Sequence, residues 1–267
     1  MVEGFGVHSY WAVILGGSSG LGLSSARKLA HEGMNLCIVH QNPRIEMDAI
    51  NLAFDELRAS GVQLLTFNSD VINPEKREGV LADLKSAMGP AGRVRCLLHS
   101  IAKGNLKAMS PAETGSSRLE KEDFSLTLDY MALSHYSWVQ AVFDSSLFAA
   151  DARVLAFTSE GSKRAWKHYA AVSAAKASLE AISRSIALEY ARFGIRSNCI
   201  QAGITKTRSM SMIPGSEKLV AHSLERNPLG RMTVPEDVAN VVYLLCLDEA
   251  AWINGTVIAV DGGEQIA

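Results

Sequence analysis

The chain has 267 residues, of which 48% are hydrophobic and 20% charged, and its formal net charge is −2 at pH 7. These values are typical of an ordinary folded protein and argue against a nucleic-acid partner. The N-terminal residues lack the basic start and apolar core of a signal peptide, and no apolar run reaches the roughly 18 residues that span a membrane. Four cysteines, Cys37, Cys96, Cys199 and Cys246, occur singly in apolar runs. We therefore expect a cytoplasmic protein with reduced thiols, no bound metal and no membrane contact.

Apolar runs of strand length alternate with longer helical stretches. Strands are predicted at residues 11–15, 35–39, 63–67, 94–99, 153–158, 196–200 and 257–260. Helices are predicted near residues 20–32, 43–60, 74–88, 122–149, 167–193 and 235–248. Strands that are apolar throughout and separated by helices indicate a parallel sheet covered on both faces. We therefore predict one α/β domain over residues 1–267, a doubly wound parallel sheet of about seven strands with helices on both faces.

Two segments interrupt this alternation and are predicted to be long loops. Residues 102–121 follow the fourth predicted strand, and residues 203–230 follow the sixth. Both should emerge at the carboxyl edge of the sheet, where open α/β folds bind ligands. We expect these two loops to contact the substrate.

A glycine-rich motif, Gly16-Gly-Ser-Ser-Gly20-Leu-Gly22, joins the first predicted strand to the first predicted helix. Glycines at these positions make a tight turn and admit a pyrophosphate to the backbone. The motif therefore predicts a dinucleotide site, although a plain glycine-rich turn is the alternative. Its predicted contacts are Gly16, Ser18, Ser19, Gly20, Leu21 and Gly22.

The end of the second predicted strand bears on the choice of cofactor. An Asp or Glu there would hold the adenosine ribose and repel a 2′-phosphate, but the chain has His40 and Arg44 instead. Because arginine clamps phosphate well, NADPH is predicted over NADH; alternatively, Arg44 only solvates a helix start. After the third predicted strand, Asp70 and Val71 contact the adenine, or Asp70 caps the following turn.

Tyr169 and Lys176 stand seven residues apart in the predicted helix 167–193. At about 100° per residue, seven steps return a side chain almost to its starting angle, so the phenol and the ammonium should face one site. A neighbouring cation lowers the pKa of a phenol, which suits a proton donor near neutral pH. The alternative is that both residues simply lie on the protein surface.

These motifs together resemble the short-chain dehydrogenase/reductase superfamily from about Ala12 to Gly263, which implies a Rossmann-like fold. Further segments that carry the resemblance are Arg196-Ser-Asn-Cys-Ile-Gln-Ala-Gly203, Asn227-Pro-Leu-Gly-Arg-Met232 and Val260-Asp-Gly-Gly263. Most members place the catalytic Tyr four residues before the Lys, where this chain has Val172. The wider spacing resembles the bacterial enoyl-acyl-carrier-protein reductases. His99-Ser-Ile-Ala102 and Tyr136-Ser-Trp-Val139 are similar to segments of the same family.

Two departures refine the resemblance. The glycine motif is of the ordinary superfamily type, and Ser159 stands where the usual enoyl reductase has a second Tyr. Both features are similar to the NADPH-using, Bacillus-type enoyl reductases. Met131 replaces the Asn of most relatives, so the side chain on which their Lys–Asn–water proton relay depends is missing.

The wide spacing fits reduction of a carbon–carbon double bond. In a 2-enoyl thioester the hydride reaches C3, while charge develops on the thioester oxygen, two bonds farther away than in carbonyl reduction. The resemblance implies that Tyr169 hydrogen-bonds this oxygen, that Lys176 holds the nicotinamide ribose and that Thr207 holds the carboxamide. Ser159 either gives a second hydrogen bond to the substrate or only ends a strand.

The resemblance also supplies the remaining site residues and the partners. The further cofactor contacts are Ser100, Ile101, Ala102, Gly203 and Ile204; Met210, Met212 and Ile213 either cover the acyl chain or belong to the core. An acyl carrier protein carrying the enoyl chain would be steered by Lys163, Arg164, Lys167, Lys206 and Arg208, unless these are only solvated charges. A homotetramer is implied, with helices 122–149 and 167–193 between subunits. The rival activities are 3-oxoacyl-carrier-protein reduction, another carbonyl or alcohol oxidoreduction, and dinucleotide binding without catalysis.

Overall fold

Seven parallel strands form the centre of the protein. The structure is a computed structural model that describes residues 5–110 and 117–267. The strands are β1 (Tyr10–Leu15), β2 (Asn35–His40), β3 (Leu64–Asn68), β4 (Arg93–His99), β5 (Phe148–Thr158), β6 (Ile195–Ala202) and β7 (Val257–Val260). Their order in the sheet is β3-β2-β1-β4-β5-β6-β7, and all neighbouring pairs are parallel. The predicted doubly wound parallel sheet is therefore confirmed.

Helices connect the strands and cover the sheet. They are α1 (Gly20–His31), α2 (Met47–Ala59), α3 (Pro74–Met88), α4 (Lys121–Leu128), α5 (Ser134–Asp144), α6 (Ala170–Glu189), α7 (Arg208–Ser211), α8 (Ser216–Arg226) and α9 (Pro235–Cys246). A π-helical turn, Asp129–Leu133, joins α4 to α5. In residues 5–110 and 117–267, no helix combines the length and the apolar character that crossing a bilayer requires.

The two faces of the sheet bury separate hydrophobic cores. In β1, Trp11, Val13 and Leu15 enter one core, while Ala12 and Ile14 enter the other. The first core receives side chains from α3, α5 and α6, and the second from α1, α2 and α9. Because successive residues of a strand point to opposite faces, both sets have to be apolar, which explains the continuous apolar runs in the sequence.

The prediction of a helix over residues 122–149 is wrong at its end. Helix α5 stops at Asp144, Ser146 has a positive φ of 55°, and β5 begins at Phe148. The pairing of β4 with β5 shifts its register between Val94 and Cys96, which accommodates the early start of β5. The apolar content of residues 147–149 fits a strand as well as a helix, so the sequence alone did not separate them.

The prediction that residues 203–230 form a loop is also wrong, because α7 and α8 lie within it. Helix α8 follows Gly215, whose φ of 80° directs the chain into the helix, and Ser223 is its one buried residue. A helix that buries so little leaves a weak apolar period in the sequence. Residues 102–110 and 117–120 contain neither a helix nor a strand, as predicted, apart from an isolated bridge between Ala108 and Arg118. The rest of the predicted loop 102–121 lies outside the described residues.

Three arginines pair with the carboxylate of Asp151 in β5, close to the C-terminal end of α9. Arg95 and Arg153 are each only 1% exposed, and both guanidinium groups donate to carbonyl oxygens at the end of α9, those of Cys246 and Leu245. Asp151 accepts from Arg95 at 2.6 Å and from Arg153 at 2.6 Å, and it also pairs with Arg196. The cluster ties β4, β5 and α9 together.

We expect Asp151→Asn to lower the free energy of unfolding at pH 7 by about 3 kcal/mol, because it leaves buried guanidinium groups without their shared counter-charge. Urea unfolding measures this, and Asp55→Asn, which breaks the exposed pair with Arg58, is the control with an expected loss of about 0.5 kcal/mol or less. Equal losses in the two variants would contradict the importance of the cluster.

The same variant has a predicted pH dependence. Burial raises the pKa of Asp151, but the hydrogen bonds and charges of Arg153 and Arg95 outweigh burial and hold the pKa below its usual value. A carboxyl with a lowered pKa stabilises the fold above its ordinary pKa of about 4 and loses that contribution as the pH falls through the lowered value. The difference between wild type and Asp151→Asn should therefore shrink in acid.

Candidate functional site

A cleft of about 390 Å³ lies at the carboxyl ends of β1, β4, β5 and β6. Strands β1 and β4 are neighbours in the sheet although they are not consecutive in the chain, so the connections leave them in opposite directions. Open α/β sheets bind ligands at such a point. Both segments predicted to contact the substrate contribute to the lining, through Leu106 and Ile213 among others.

The glycine turn forms one end of the cleft and has room for a phosphate group. A Cβ at Gly16 would lie 2.4 Å from the Ser100 carbonyl oxygen, and one at Gly22 would lie 2.2 Å from the Gly16 oxygen. Ser18, Ser19, Gly20 and Leu21 line the cleft with Gly16, while Gly22 packs beneath them. Helix α1 begins at Gly20 with no acidic residue in its first turn. The first N–H groups of a helix have no partner within it, and together with the positive end of the helix they fit a pyrophosphate.

The end of β2 places His40, but not Arg44, in the cleft. His40 is buried and its Nδ1 lies 3.0 Å from Asn42 Oδ1, which also accepts from Ser18 Oγ at 2.8 Å. Burial lowers the pKa of His40 in spite of the Asn42 contact, so the ring is neutral at pH 7. Arg44 is exposed on a 3₁₀ turn, Arg44–Glu46, and does not line the cleft.

Asp70 and Val71 have different surroundings. Val71 is buried and lines the cleft. Asp70 does not line it; its carboxylate accepts from Tyr130 Oη at 2.9 Å and from the Ile72 N–H at 3.2 Å. The turn-capping alternative for Asp70 therefore matches the observed hydrogen bonds.

The residues after β4 and β6 reach the cleft from two sides. Ser100, Ile101 and Ala102 follow β4, and Gly203, Ile204 and Thr207 follow β6; all six line the cleft. Thr207 Oγ1 accepts from the Met210 N–H at 3.2 Å and so caps α7. A Cβ at Gly203 would lie 2.4 Å from Thr233 Oγ1, which makes glycine necessary there.

Lys103 is a cleft residue that sequence reasoning missed. Its Nζ donates to Gln41 Oε1 at 2.9 Å and lies 3.9 Å from the centre of the Tyr130 ring. Its position in the sequence could have indicated this, because Lys103 directly follows the predicted cofactor segment 100–102. The cation and the aromatic ring lie at the end of the cleft where β2 ends.

Tyr169 faces the cleft but precedes the observed helix, although the predicted helix 167–193 included it. Helix α6 begins at Ala170, and Tyr169 is held by a turn in which its N–H donates to the Trp166 carbonyl oxygen at 3.3 Å. His168 has a positive φ of 65°, which is uncommon for a residue with a side chain. The helical-angle reasoning for Tyr169 was therefore wrong, although Tyr169 and Lys176 do line the same cleft.

The predicted lowering of the Tyr169 pKa is also wrong. Burial raises the pKa of Tyr169, and the neighbouring Ser159 hydroxyl only partly opposes this. Lys176 is buried too, its Nζ donates to the Phe157 carbonyl oxygen at 2.6 Å, and burial lowers its pKa to about 8. At pH 7 the phenol is thus protonated and the lysine is charged.

Ser159 and Gly161 frame the Tyr169 ring. Ser159 Oγ is buried and lies beside the Tyr169 hydroxyl, but it forms no hydrogen bond of good geometry with any described residue. A Cβ at Gly161 would lie 2.5 Å from Tyr169 Cε1 and 3.3 Å from Ser159 Oγ, so only glycine leaves space for the ring. An unpartnered hydroxyl beside the phenol can donate to a substrate oxygen. Sequence reasoning missed Gly161, which carries no motif of its own.

Apolar side chains line the cleft next to Tyr169. Met210, Met212 and Ile213 line it as predicted positions, together with Trp166, whose ring centre lies 5.1 Å from that of Tyr169. Sequence reasoning missed Trp166, whose carbonyl oxygen accepts from the Tyr169 N–H. The shared lining fits an apolar substrate group beside the phenol.

Met131 cannot take part in a proton relay to Lys176, because its side chain has no group that gives or accepts a proton. This residue lies in the π-helical turn, is 3% exposed and lines the cleft with a thioether. His99 and His135 are wholly buried nearby, and burial lowers the pKa of His135 to about 3. His99 Nε2 lies 2.8 Å from Ser134 Oγ, and burial followed by the charges of His135 and Lys176 lowers its pKa as well. Among the described residues, no group of His, Cys, Asp and Glu side chains could hold a metal.

Comparison with known proteins places the chain in a family. A family model described as Enoyl-(Acyl carrier protein) reductase matches residues 16–265. A probable 2,4-dienoyl-CoA reductase of Bacillus subtilis is 29% identical, covering 95% of this chain and 96% of its own. A (2S)-[(R)-hydroxy(phenyl)methyl]succinyl-CoA dehydrogenase subunit of Thauera aromatica is 26% identical, covering 98% of both chains.

Solved structures show the same fold. The enoyl-[acyl-carrier-protein] reductase (NADH) of Aquifex aeolicus superposes with a TM-score of 0.82 at 24% identity, over 97% of this chain and 98% of the other. A short chain dehydrogenase of Bacillus anthracis superposes with a TM-score of 0.79 at 26% identity, over 97% and 98%. The chain therefore belongs to the short-chain dehydrogenase/reductase superfamily, in the family described as enoyl-(acyl carrier protein) reductase, and is an oxidoreductase that uses a nicotinamide cofactor.

Proposed function

We propose that this protein is an NADPH-dependent enoyl-acyl-carrier-protein reductase that saturates a 2-enoyl thioester in fatty-acid synthesis. The observation that carries the proposal is the position of the phenol. Tyr169 and Val172 both line the cleft, but Val172 stands where most members of the superfamily have their Tyr and has no proton to give. The described lining contains two tyrosines, and Tyr130 already donates its hydroxyl proton to Asp70. Tyr169, the displaced one, is therefore the proposed proton donor, which suits an oxygen remote from the carbon that is reduced.

The chemistry follows from the protonation states. When bound, the nicotinamide supplies a hydride, which C3 of the enoyl thioester receives while negative charge develops on the thioester oxygen. The protonated Tyr169 donates a hydrogen bond and then its proton to that oxygen, and Ser159 Oγ is available for a second hydrogen bond. The resulting enol becomes the saturated thioester when C2 takes up a proton from water and the oxygen releases its own, and Tyr169 is reprotonated from solvent. Charged Lys176 holds the nicotinamide ribose and stabilises the negative charge at the phenol. The apolar lining around Trp166 and Ile213 holds the acyl chain away from water.

NADPH is the proposed cofactor because the end of β2 presents His40 and Asn42 instead of a carboxylate, and Lys103 adds a positive charge to the lining. A 2′-phosphate would meet hydrogen-bond donors and a cation at this end of the cleft. Arg44, on which the prediction first rested, contributes at most from outside the lining.

The protein is further proposed to assemble as a homotetramer through α4, α5 and α6, the helices that the structure has within the predicted segments 122–149 and 167–193. Leu133 and Tyr136 are about half exposed there, and Leu188 on α6 is largely exposed. A second copy packed on this face would cover apolar side chains that otherwise contact water.

The first experiment compares crotonyl and acetoacetyl thioesters as substrates. We expect NADPH oxidation with the crotonyl thioester, and Tyr169→Phe to reduce kcat about 100-fold or more because the oxygen loses its proton donor. Tyr190→Phe, at the other end of α6, should keep wild-type turnover. Fluorescence titration with NADPH checks that Tyr169→Phe still binds the cofactor.

Other results of this experiment would overturn the proposal. Turnover of the acetoacetyl thioester alone would make the protein a carbonyl reductase. The similarity to a dehydrogenase and the ordinary glycine motif favour this alternative. NADPH binding without turnover of either thioester would indicate a binding protein, as the absence of a polar side chain at Met131 suggests.

Lys176 gives a prediction for the pH profile. Because burial lowers the pKa of Lys176 to about 8, we expect kcat/KM for the crotonyl thioester to fall as the pH rises through about 8 and the lysine loses its charge. Lys176→Arg keeps the charge at all these pH values, so its profile should stay flat through this range whatever its absolute rate. A decline at the same pH in Lys176→Arg would assign the titration to another group.

Carrier docking gives a prediction for substrate recognition. Arg164 and Arg208 already pair with Glu160 and Glu46, whereas Lys163 and Lys167 are exposed and have no carboxylate partner among the described residues. We expect Lys163→Glu with Lys167→Glu to raise KM for the crotonyl carrier protein about tenfold, because an acidic carrier is repelled. KM for the uncharged crotonyl pantetheine thioester should not change.

The control for carrier docking is Lys76→Glu with Lys85→Glu on α3, which reverses an equal number of exposed charges away from the cleft. It should leave both KM values as they are. A rise in KM for both thioesters in the variant with Lys163→Glu and Lys167→Glu would point to damage of the cleft and would contradict docking.

A further inference from the structure

Arg208 lies where the cofactor half of the cleft meets the segment over the substrate. It is the first residue of α7, lines the cleft and directly follows Thr207. A Cβ at Gly20 would lie 3.4 Å from the Thr207 methyl group, so the chain enters α7 against the glycine turn. The backbone of Arg208 is therefore next to the predicted pyrophosphate site.

The side chain of Arg208 forms an ion pair across the mouth of the cleft. Its Nη1 lies 2.5 Å from Oε1 of Glu46, which is 162 positions away in the chain. The other oxygen of Glu46 accepts from Asn42 Nδ2 at 2.9 Å, and Asn42 in turn accepts from Ser18 Oγ at 2.8 Å. A continuous hydrogen-bonded chain thus leads from Arg208 to the glycine turn.

The residues around this series of hydrogen bonds supply too little positive charge for an anionic ligand unless Arg208 takes part. The glycine turn, residues 16–22, contains no Lys or Arg, so Lys103 beside the end of β2 has no basic partner there. Glu46 places a carboxylate two contacts away from Ser18, where it repels phosphate unless a cation neutralises it. Arg208 is the cation that does so, and its side chain is 67% exposed and therefore free to change partners.

The other end of the segment from α7 to α8 is held by hydrogen bonds of a largely buried arginine. Arg226, the last residue of α8, has a side chain only 12% exposed, and it donates to the backbone oxygens of Glu264 at 2.6 Å and Ala267 at 3.1 Å. Arg226 also lies 3.6 Å from Glu160, but this pair is largely buried, with side chains 12% and 17% exposed. Only the Arg208 end of the segment offers an exposed ion pair at the cleft.

We propose that Arg208 is a phosphate-binding residue of the cofactor cleft and that Glu46 competes with the cofactor phosphate for its guanidinium group. Arginine binds phosphate through two parallel hydrogen bonds, and the pyrophosphate as a whole or the 2′-phosphate carries about two negative charges against one on Glu46, so the phosphate is the stronger partner. The proposal depends on the nicotinamide cofactor of the family and not on the thioester chemistry proposed above.

The test measures dissociation constants for NADPH and NADH by nicotinamide fluorescence in wild type, Arg208→Gln and Glu46→Gln. Arg208→Gln should weaken binding of NADPH about tenfold or more, because a charge-assisted contact is lost. Glu46→Gln should strengthen it about two- to fivefold, because the competing carboxylate is gone. If the Arg208–Glu46 pair only stabilised the fold, the dissociation constant for NADPH would change in the same direction in both variants.

The two cofactors identify which phosphate is bound. Equal weakening for NADPH and NADH in Arg208→Gln assigns Arg208 to the pyrophosphate, whereas weakening for NADPH alone assigns it to the 2′-phosphate. Unchanged binding in Arg208→Gln, or weaker binding in Glu46→Gln, would overturn the proposal. Because the readout is binding, a failure of crotonyl turnover does not affect it.

Matched controls come from an exposed ion pair away from the cleft. Arg27 on α1 pairs with Glu56 on α2 at 2.7 Å, and both side chains are about half exposed. Arg27→Gln and Glu56→Gln should leave both dissociation constants unchanged. Arg208→Lys, which keeps the charge without the planar fork, should restore part of the lost affinity.

Discussion

The contact between the glycine turn and the end of β4 determines where the active cleft lies. Gly16 and Ser100 approach so closely that no Cβ fits between them, and Gly22 lies just as close to the Gly16 carbonyl oxygen. This packing brings the start of α1 directly over the point where the connections of β1 and β4 diverge. The residues that follow the other strands can meet at the cleft only because these backbones are in contact first.

The fold could be predicted because its physical requirements repeat along the sequence. A strand covered on both faces has to be apolar at every position, and the tight turn after β1 has to be glycine, as Gly16 shows with a φ of 88°. The helices between residues 203 and 230 lacked such a requirement, since α8 buries only Ser223. Arg44 illustrates a further limit: the 3₁₀ turn that starts after Pro43 directs it away from the cleft, while Asn42 remains in the lining.

The Tyr169–Lys176 spacing identified the right residues through an incomplete geometric argument. Tyr169 precedes α6, so its direction is set by the turn from Trp166 and by the positive φ of His168. Neither the strained backbone of a histidine nor the space that Gly161 leaves for the ring can be read from a spacing. Sequence patterns report repeated requirements, whereas this turn is a single local arrangement.

Burial, more than the neighbouring charge, sets the protonation states in the cleft. It raises the pKa of Tyr169, lowers that of Lys176 to about 8 and keeps His135 neutral at neutral pH with a pKa of about 3. Because His99 is held neutral as well, Lys176 is the one cation in this buried group of described residues. A protonated phenol in a cleft whose buried groups include a single cation favours donation of a hydrogen bond to a developing oxyanion over early formation of a phenolate. Stabilisation of negative charge on a substrate oxygen is therefore the chemistry to which these buried groups are suited.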